Sequence, residues 1–294
     1  MDRLEAMSIL VAIAETGSLS AAGRRLNLPL SSVSRKISDL EIHLGTRLLT
    51  RTSRRTALTD AGAAYLPACR RILEDVAEAE RAAAGEYRTP RGELTITAPI
   101  VFGRLHMLPI VLDFLAAYPE VDIRLTLTDR RLSLVEDHID LALRIGPLAD
   151  SSLVALKLGT MRRVVVASPA YLERRGRPEI PADLAGHDCI DSSGRPTSDW
   201  SFDAFLPPRP RLDVNTAEAS IDAAIAGAGL ARVLFYQAAQ AVREGKLVLL
   251  LEEFEHEPWP VSLVHAGQDL LPLKLRAFID FAAPALRTRL ARIG

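Results

Sequence analysis

Ser20–Leu44, SAAGRRLNLPLSSVSRKISDLEIHL, reads as two short helices joined by a tight polar turn. In the first, Ala21, Ala22 and Leu26 share one side behind Ser20 as the expected N-cap. In the second, Leu30, Val33, Ile37, Leu40 and Leu44 recur at steps of three or four residues, which makes one apolar stripe. Opposite that stripe stand Ser31, Ser32, Ser34, Arg35, Lys36 and Ser38, short hydroxyls and cations on a face the core does not need. This composition suits a helix that contacts DNA, and an ordinary solvated helix on a helical bundle shares it. Charge distinguishes the two readings better than composition. Between Ser20 and Leu58 there are eight Lys or Arg residues against Asp39 and Glu41, while the whole chain carries a net charge of -1. The basic charge is therefore focused here, as phosphate contact requires.

Working outward, Leu4, Met7, Leu10, Val11 and Ala14 repeat with helical period, and Gly17 stands where a C-cap glycine would end a supporting helix. Downstream, Gly45 marks a stop, and Leu48 and Leu49 lead into TRTSRRT, residues 50–56, a basic segment with β-branched residues that reads as a two-stranded wing. Helix, helix-turn-helix and wing make the winged variant of a motif whose second helix enters the major groove. The expected DNA contacts are Ser31, Ser32, Ser34, Arg35 and Lys36 on that helix. Arg51, Arg54 and Arg55 on the wing would flank phosphates or enter a minor groove.

These residues resemble the LysR-type transcriptional regulators. The resemblance is carried by Ala21-Ala22, Leu26, Val33-Ser34, Leu40-Glu41, Leu44-Gly45, Leu48-Leu49, Arg51, Arg54 and Leu58-Thr59 with Ala61-Gly62, over some sixty residues without a gap. ALRIGPLADSSL from Ala142 and VASPAYL from Val166 resemble the ligand-sensing half of the family more loosely. The resemblance implies an α/β chain with an N-terminal winged helix-turn-helix, a long linker helix and a two-lobed effector domain like the periplasmic binding proteins. It also implies a homo-oligomer, a dimer or a dimer of dimers. Pro29 and Leu30 depart from the Ser or Thr followed by Gln that members often carry, so a glutamine base contact does not transfer. Pro29 suits the first position of the helix, and Leu30 suits a thymine methyl if it lies outside the core.

A long helix is expected from Thr59, with Thr59 as N-cap and Asp60 in its positive first turn. Tyr65, Cys69, Ile72, Val76, Ala79 and Ala83 alternate steps of four and three, the spacing of a two-helix seam. Such a stripe suits dimerisation, and packing on the chain's own body is the alternative. Pro67 predicts a local kink. The expected division is residues 1–58 for the DNA-binding domain, 59–89 for the linker, 90–162 with 267–294 for lobe I, and 163–266 for lobe II.

After Thr89-Pro90-Arg91-Gly92 the pattern switches to alternating strands and helices. Strands are expected at Leu94–Thr97, Val121–Leu127, Val164–Ser168, Leu212–Val214 and Val261–Val264, with a helix marked by Leu105, Leu108, Leu112 and Leu115 and another over Leu273–Leu290. The pattern suggests two lobes; the crossover back to the first comes from the resemblance. Ligands of such lobes lie where strand ends and helix N-termini converge. The candidates are Thr97, Ala98, Pro99, Ile100 and Val101, where Pro99 opens a helix whose amides would face an anion; Thr128 and Asp129; Arg144; and from lobe II Trp200, Phe202 and Thr216. Pro99 and Arg144 together favour a small carboxylated metabolite, and an aromatic acid would suit the apolar wall. For each residue a structural role is the alternative, with Arg144 pairing to Asp129 or Asp140 and Trp200 and Phe202 in the core.

No enzyme is expected. Gly227-Ala228-Gly229 lacks the third glycine and preceding strand of a dinucleotide fingerprint, and no P-loop, nucleophile elbow or HExxH occurs. Two distant cysteines and six scattered histidines indicate neither a disulfide framework nor a metal site, and no cofactor is implied. The N-terminus lacks the basic region and cleavage site of a secretion signal, so the cytoplasm is the expected location, with no membrane. The expected partners are double-stranded DNA, a small-molecule effector and further copies of the chain. A constitutive DNA-binding protein without effector, or a cytoplasmic small-molecule-binding protein or enzyme, are the alternatives.

Overall fold

Caps and glycines set the limits of the N-terminal helices. The computed structural model describes residues 1–51, 56–83, 89–148, 153–191, 210–267 and 271–293, in two units, Met1–Arg88 and Thr89–Gly294. Helix α1, Arg3–Thr16, starts behind Asp2, whose side chain accepts the Glu5 amide, and stops at Gly17, where φ of 72° needs no Cβ. Helix α2, Leu19–Leu26, begins two residues earlier than the sequence suggests. Ser18, not Ser20, is its N-cap, with Oγ accepting the Ala21 amide at 3.1 Å. Helix α3 spans Leu30–Leu44, with Pro29 as the residue before its first turn.

Val33, Ile37 and Leu40 of α3 are fully buried against Ile9, Leu10 and Ile13 of α1 and Ala22 of α2. Each such side chain contributes about 1.5–3 kcal/mol by leaving water. Leu30 and Leu44 do not belong to this stripe, because they stand at the two ends of the helix beyond its covered central turns; Leu30 is 53% exposed. Strands β1, Leu49–Arg51, and β2, Thr56–Leu58, pair antiparallel with Leu49 opposite Leu58 and Arg51 opposite Thr56, forming the wing. Helix α4, Asp60–Ala83, is capped by Thr59, whose Oγ1 accepts the Gly62 amide at 3.0 Å, and it continues through Pro67.

The first half of the expected dimer seam turns inward. Cys69 is fully buried in the core of its own unit, and Tyr65 and Ile72 pack against that same core. The stripe meets α1 before any partner. Val76 is half-buried and Ala79 exposed, while the side chain of Ala83 lies outside the described residues.

In the second unit, one five-stranded sheet has the order β4-β3-β5-β12-β6. Its strands are β3, Gly92–Ala98; β4, Val121–Leu127; β5, Leu141–Ile145; β6, Leu153–Met161; and β12, Trp259–Ala266. Strand β3 runs parallel to β4 and β5, and β12 inserts antiparallel between β5 and β6. The chain therefore returns to lobe I at Trp259, not at residue 267. Val261 and Leu263 of the returning strand are buried among Leu94, Ile96, Leu141 and Leu143. Helix α10, Leu273–Ile293, covers the same face. The second sheet, lobe II, has the order β11-β7-β10-β8-β9, with β7 at Arg163–Ala167, β8 at Cys189–Asp191, β9 at Leu212–Asp213, β10 at Leu230–Leu234 and β11 at Val248–Leu250. Helices α7, Pro169–Arg175, α8, Ala217–Ile225, and α9, Phe235–Arg243, accompany it.

Between β3 and β4 the chain forms α5, Ile100–Phe102, a π-helical turn at Gly103–Met107, and α6, Leu108–Ala117. The helix is where the leucine spacing puts it, but the inward face is not the leucine face. Val101, Phe102, Met107, Ile110, Val111 and Phe114 are buried, whereas Leu105, Leu108 and Leu112 are 42%, 38% and 58% exposed. The segment is apolar enough by length and composition to cross a membrane. Its packing on the sheet through Phe102, Ile110 and Phe114 makes it a core helix instead.

Candidate nucleic-acid interface and effector site

On α3, Ser31 and Arg35 are exposed, and Ser32 and Ser34 are half-buried on the same side. Lys36 differs from the sequence expectation: its ammonium pairs with Glu5 of α1, so its charge is balanced within the domain. Arg51 is placed by β1, with its side chain outside the described residues, as are Arg54 and Arg55 altogether. Glu15 of α1 receives Arg25 of α2 and, at 3.4 Å, Arg70 of α4, which ties three helices together.

Glu41, which the sequence reading used only for the charge count and the resemblance, positions the wing. Its Oε1 accepts the backbone amides of Leu48 at 2.8 Å and Leu49 at 3.0 Å. Thr59 closes the same point from the other side, its amide donating to the Leu48 carbonyl at 3.0 Å and its hydroxyl to the Arg47 carbonyl at 2.7 Å. Gly62 lies so close that an added Cβ would stand 2.1 Å from the Leu48 carbonyl oxygen. Reading helix, wing and linker helix thus converge on Leu48.

In the effector unit, three of the five residues expected at the end of β3 point into the protein. Thr97 is buried and donates its hydroxyl to the Thr126 carbonyl at 3.0 Å; Ala98 and Val101 are core. Pro99 precedes α5, as expected, but the helix end is not open to an external anion. The Ile100 amide donates to Oδ1 of Asp129 at 3.1 Å, so the protein's own carboxylate occupies the position. Partial burial pushes the Asp129 carboxyl up, with the Ile100 amide opposing and the nearby Glu218 charge adding to the rise. Thr128 accepts the Arg130 amide through Oγ1 at 3.2 Å. Thr216 serves as N-cap of α8, accepting the Ala219 amide at 3.2 Å. Trp200 and Phe202 lie outside the described residues.

The lobes meet beside Asp129. Arg104, in the π-helical turn of lobe I, bonds Glu218 in the first turn of α8 at 2.8 Å. Tyr236 of α9 enters the lobe I core, edge-on to Phe102 at 5.6 Å and to His106 at 5.9 Å. Burial pushes the Tyr236 phenol up and the His106 imidazole down, the latter assisted by the positive charge of Arg289. Arg104, Glu218 and Tyr236 were missed in the sequence. Arg104 carries a faint signal, as a cation within an apolar helix; Tyr236 carries none.

Arg144 is taken elsewhere. Its guanidinium donates to the Leu132 carbonyl and lines a cavity with Arg131, to which none of Thr97–Val101, Thr128 or Asp129 contributes. Pro99 and Arg144, expected to converge on one ligand, do not share this cavity. Asp140 instead accepts the Thr95 amide at 2.7 Å. Both cysteines are buried thiols, and burial pushes Cys189 to about 12. Among the described residues no group of three or more His, Cys, Asp or Glu side chains is arranged to hold a metal.

Residues 4–63 match the family described as bacterial regulatory helix-turn-helix protein, lysR family, and residues 88–287 match the LysR substrate binding domain. An HTH-type transcriptional regulator of Xanthomonas campestris pv. campestris (strain 8004) is 38% identical over 288 residues, covering 95% of this chain and 84% of that protein. The HTH-type transcriptional activator AaeR of Escherichia coli (strain K12) is 33% identical over 286 residues, covering 95% and 93%. Among solved structures, CrgA, a LysR-type transcriptional regulator from Neisseria meningitidis, is 31% identical with a TM-score of 0.59, over 96% of this chain and 98% of that one. The helix-turn-helix match and the substrate-binding match fall on the two units in order, and the chain belongs to the LysR family of helix-turn-helix transcriptional regulators.

Proposed function

We propose that this regulator is a cytoplasmic homo-oligomer that reads double-stranded DNA through the outer face of α3 and the wing, under control of a small molecule bound where its two lobes meet. The observation that carries the control is the Arg104–Glu218 pair. It joins helical segments of different lobes, and its side chains are 56% and 43% exposed. An exposed pair of this kind contributes little by itself and exchanges readily with a charged ligand. A ligand acts only through different affinity for two lobe arrangements, so a weak interlobe contact that it replaces is a suitable point of action. Asp129 beside that pair, already holding the α5 end, favours a ligand that engages Arg104 or Glu218 over one seated on the helix terminus.

Assembly is supported by two surfaces. Leu105, Leu108 and Leu112 form an apolar face on the α5–α6 helix, and Val76 and Ala79 continue the α4 stripe past its buried half. Two separate surfaces are what a dimer of dimers needs.

The test begins with the DNA. Fragments co-purified with the full-length protein are sequenced, the recovered operator is rebuilt as a duplex, and metabolite fractions are titrated into the complex by calorimetry. Enrichment of one sequence and a fraction that changes its affinity are the expected results. No enriched sequence would remove the DNA reading. Enrichment with no active fraction would leave a constitutive DNA-binding protein. A wild-type response that Arg104→Gln leaves intact would place the effector away from the lobe junction.

A further inference from the structure

The two faces of the lobe I sheet are filled unequally. Successive side chains of a strand point to opposite faces, and on β5 Leu141 and Leu143 enter the large core beneath α6 and α10. Ala142 faces the other way, into a small cluster with Leu134, Ile139 and Val264. Among the described residues, that second face is incompletely covered. A cavity of about 560 Å³ remains there, bounded by Arg131 and Arg144 and walled by Leu134, Leu148, Leu153 and Val264. Its volume lies within the range of small-molecule sites, about 300–1,000 Å³.

The chemistry of the walls is specific. Two guanidinium groups and Ser133 border an otherwise aliphatic space, and no carboxylate side chain lines it among the described residues. Arg131 donates to the Pro147 carbonyl at 2.8 Å and Arg144 to the Leu132 carbonyl, neutral acceptors that orient both groups without cancelling their charge. A guanidinium has five N–H donors, so among the described residues most of this donor capacity is left over. Burial and the like charge of Arg131 both disfavour the cationic form of Arg144. A bound anion relieves that repulsion and accepts the remaining donors, bidentately if it is a carboxylate.

We propose that this cavity is a binding site for a small monocarboxylate with an apolar body, its carboxylate held by Arg131 and Arg144 and its hydrocarbon laid against Leu134, Leu148, Leu153 and Val264. The inference goes beyond the effector reading above, because every lining residue belongs to the lobe I sheet or its loops and none to the lobe junction. The protein would thus carry two small-molecule sites, of which this one answers to carboxylates.

The test uses the full-length protein with hexanoate and phenylacetate as probes, hexanol as the uncharged control and inorganic phosphate as the anion without an apolar body. Calorimetry and thermal melts are run on wild type, Arg131→Gln, Ala155→Phe, which fills the cavity, and Arg104→Gln, which lies at the lobe junction. The expected result is that at least one carboxylate binds and raises the melting temperature, with hexanol and phosphate inert. Arg131→Gln and Ala155→Phe should each weaken binding tenfold or more; Arg131 is exposed, so the apo melting temperature of its variant should match wild type. Arg104→Gln should bind like wild type. The proposal is overturned if neither carboxylate binds, if hexanol or phosphate binds equally well, or if both cavity variants retain wild-type affinity. Loss of binding in Arg104→Gln alone also overturns it, and would assign the carboxylate to the lobe junction.

Discussion

Helix α3 and the α5–α6 helix use their leucines in opposite ways. In α3 the periodic residues Val33, Ile37 and Leu40 are buried and the serines and Arg35 face outward. In α5–α6 the periodic Leu105, Leu108 and Leu112 face outward, and the less regular set Phe102, Ile110 and Phe114 forms the core. The difference lies in contrast. A helix with one apolar and one polar face has a single way to bury itself, whereas a helix apolar all round has several, and the sheet beneath it decides. Where the losing face stays apolar, it is left for another surface to cover.

The strongest test of that contrast is a pair of substitutions. Ile37→Asp places an unpaired charge in the N-terminal core and should cost about 3–5 kcal/mol, seen as loss of the N-terminal unit in denaturant melts. Leu112→Asp should leave the melt within about 0.5 kcal/mol of wild type while reducing the sedimentation coefficient, because it charges only the outer face. Equal destabilisation by both would erase the distinction between the helices. A smaller loss is expected from Glu41→Ala, which strips the acceptor from the amides of two buried residues, Leu48 and Leu49, and should cost about 1–3 kcal/mol. Stability equal to wild type would mean that water replaces the carboxylate and that the wing is held by its strand pairing.

On the outer face of α3, Arg35→Ala should not change the melt. It should weaken operator binding and lower the slope of log K against log salt by about one if Arg35 meets phosphate. An unchanged affinity at two salt concentrations would show the exposed face of α3 to be merely solvated. The smallest effect belongs to pH. Burial holds the His106 imidazole below its ordinary value near 6.5, so between those two values the unfolded chain binds a proton that the folded chain refuses. Stability from this residue is complete above about 6.5 and falls as pH drops through that window. His106→Gln should flatten that part of the profile for the effector unit; an identical slope would assign the pH dependence to other groups.

Much of this arrangement was legible because local chemistry dictated it. Gly17 and Gly45 as helix ends, Thr59 as a cap and the basic hairpin each depend on residues close in sequence. The effector site was less legible, for a physical reason that Arg144 and Asp129 make plain. Alternation along β5 places Arg144 on one face of the sheet, but only tertiary folding brings Arg131 beside it. Likewise Pro99 marks a helix start, yet whether the following Ile100 amide meets a ligand or Asp129 depends on a residue twenty-nine positions beyond Ile100. Tyr65, Cys69 and Ile72 teach the same lesson: heptad spacing shows that a stripe will be covered, and not which chain covers it. The return of β12 to lobe I at Trp259 could not be placed either, since strand order within a sheet leaves no periodic mark.

The convergence on Leu48 makes the DNA-binding unit behave as a fixed caliper. One jaw is α3 and the other is the wing, and the hinge between them is pinned by Glu41, Thr59 and the bare backbone of Gly62. A caliper that cannot open recognises only operators whose groove spacing already suits it. It also has no internal adjustment, so under the effector control proposed above a signal arriving along α4 would turn the whole instrument and leave the jaws as they are.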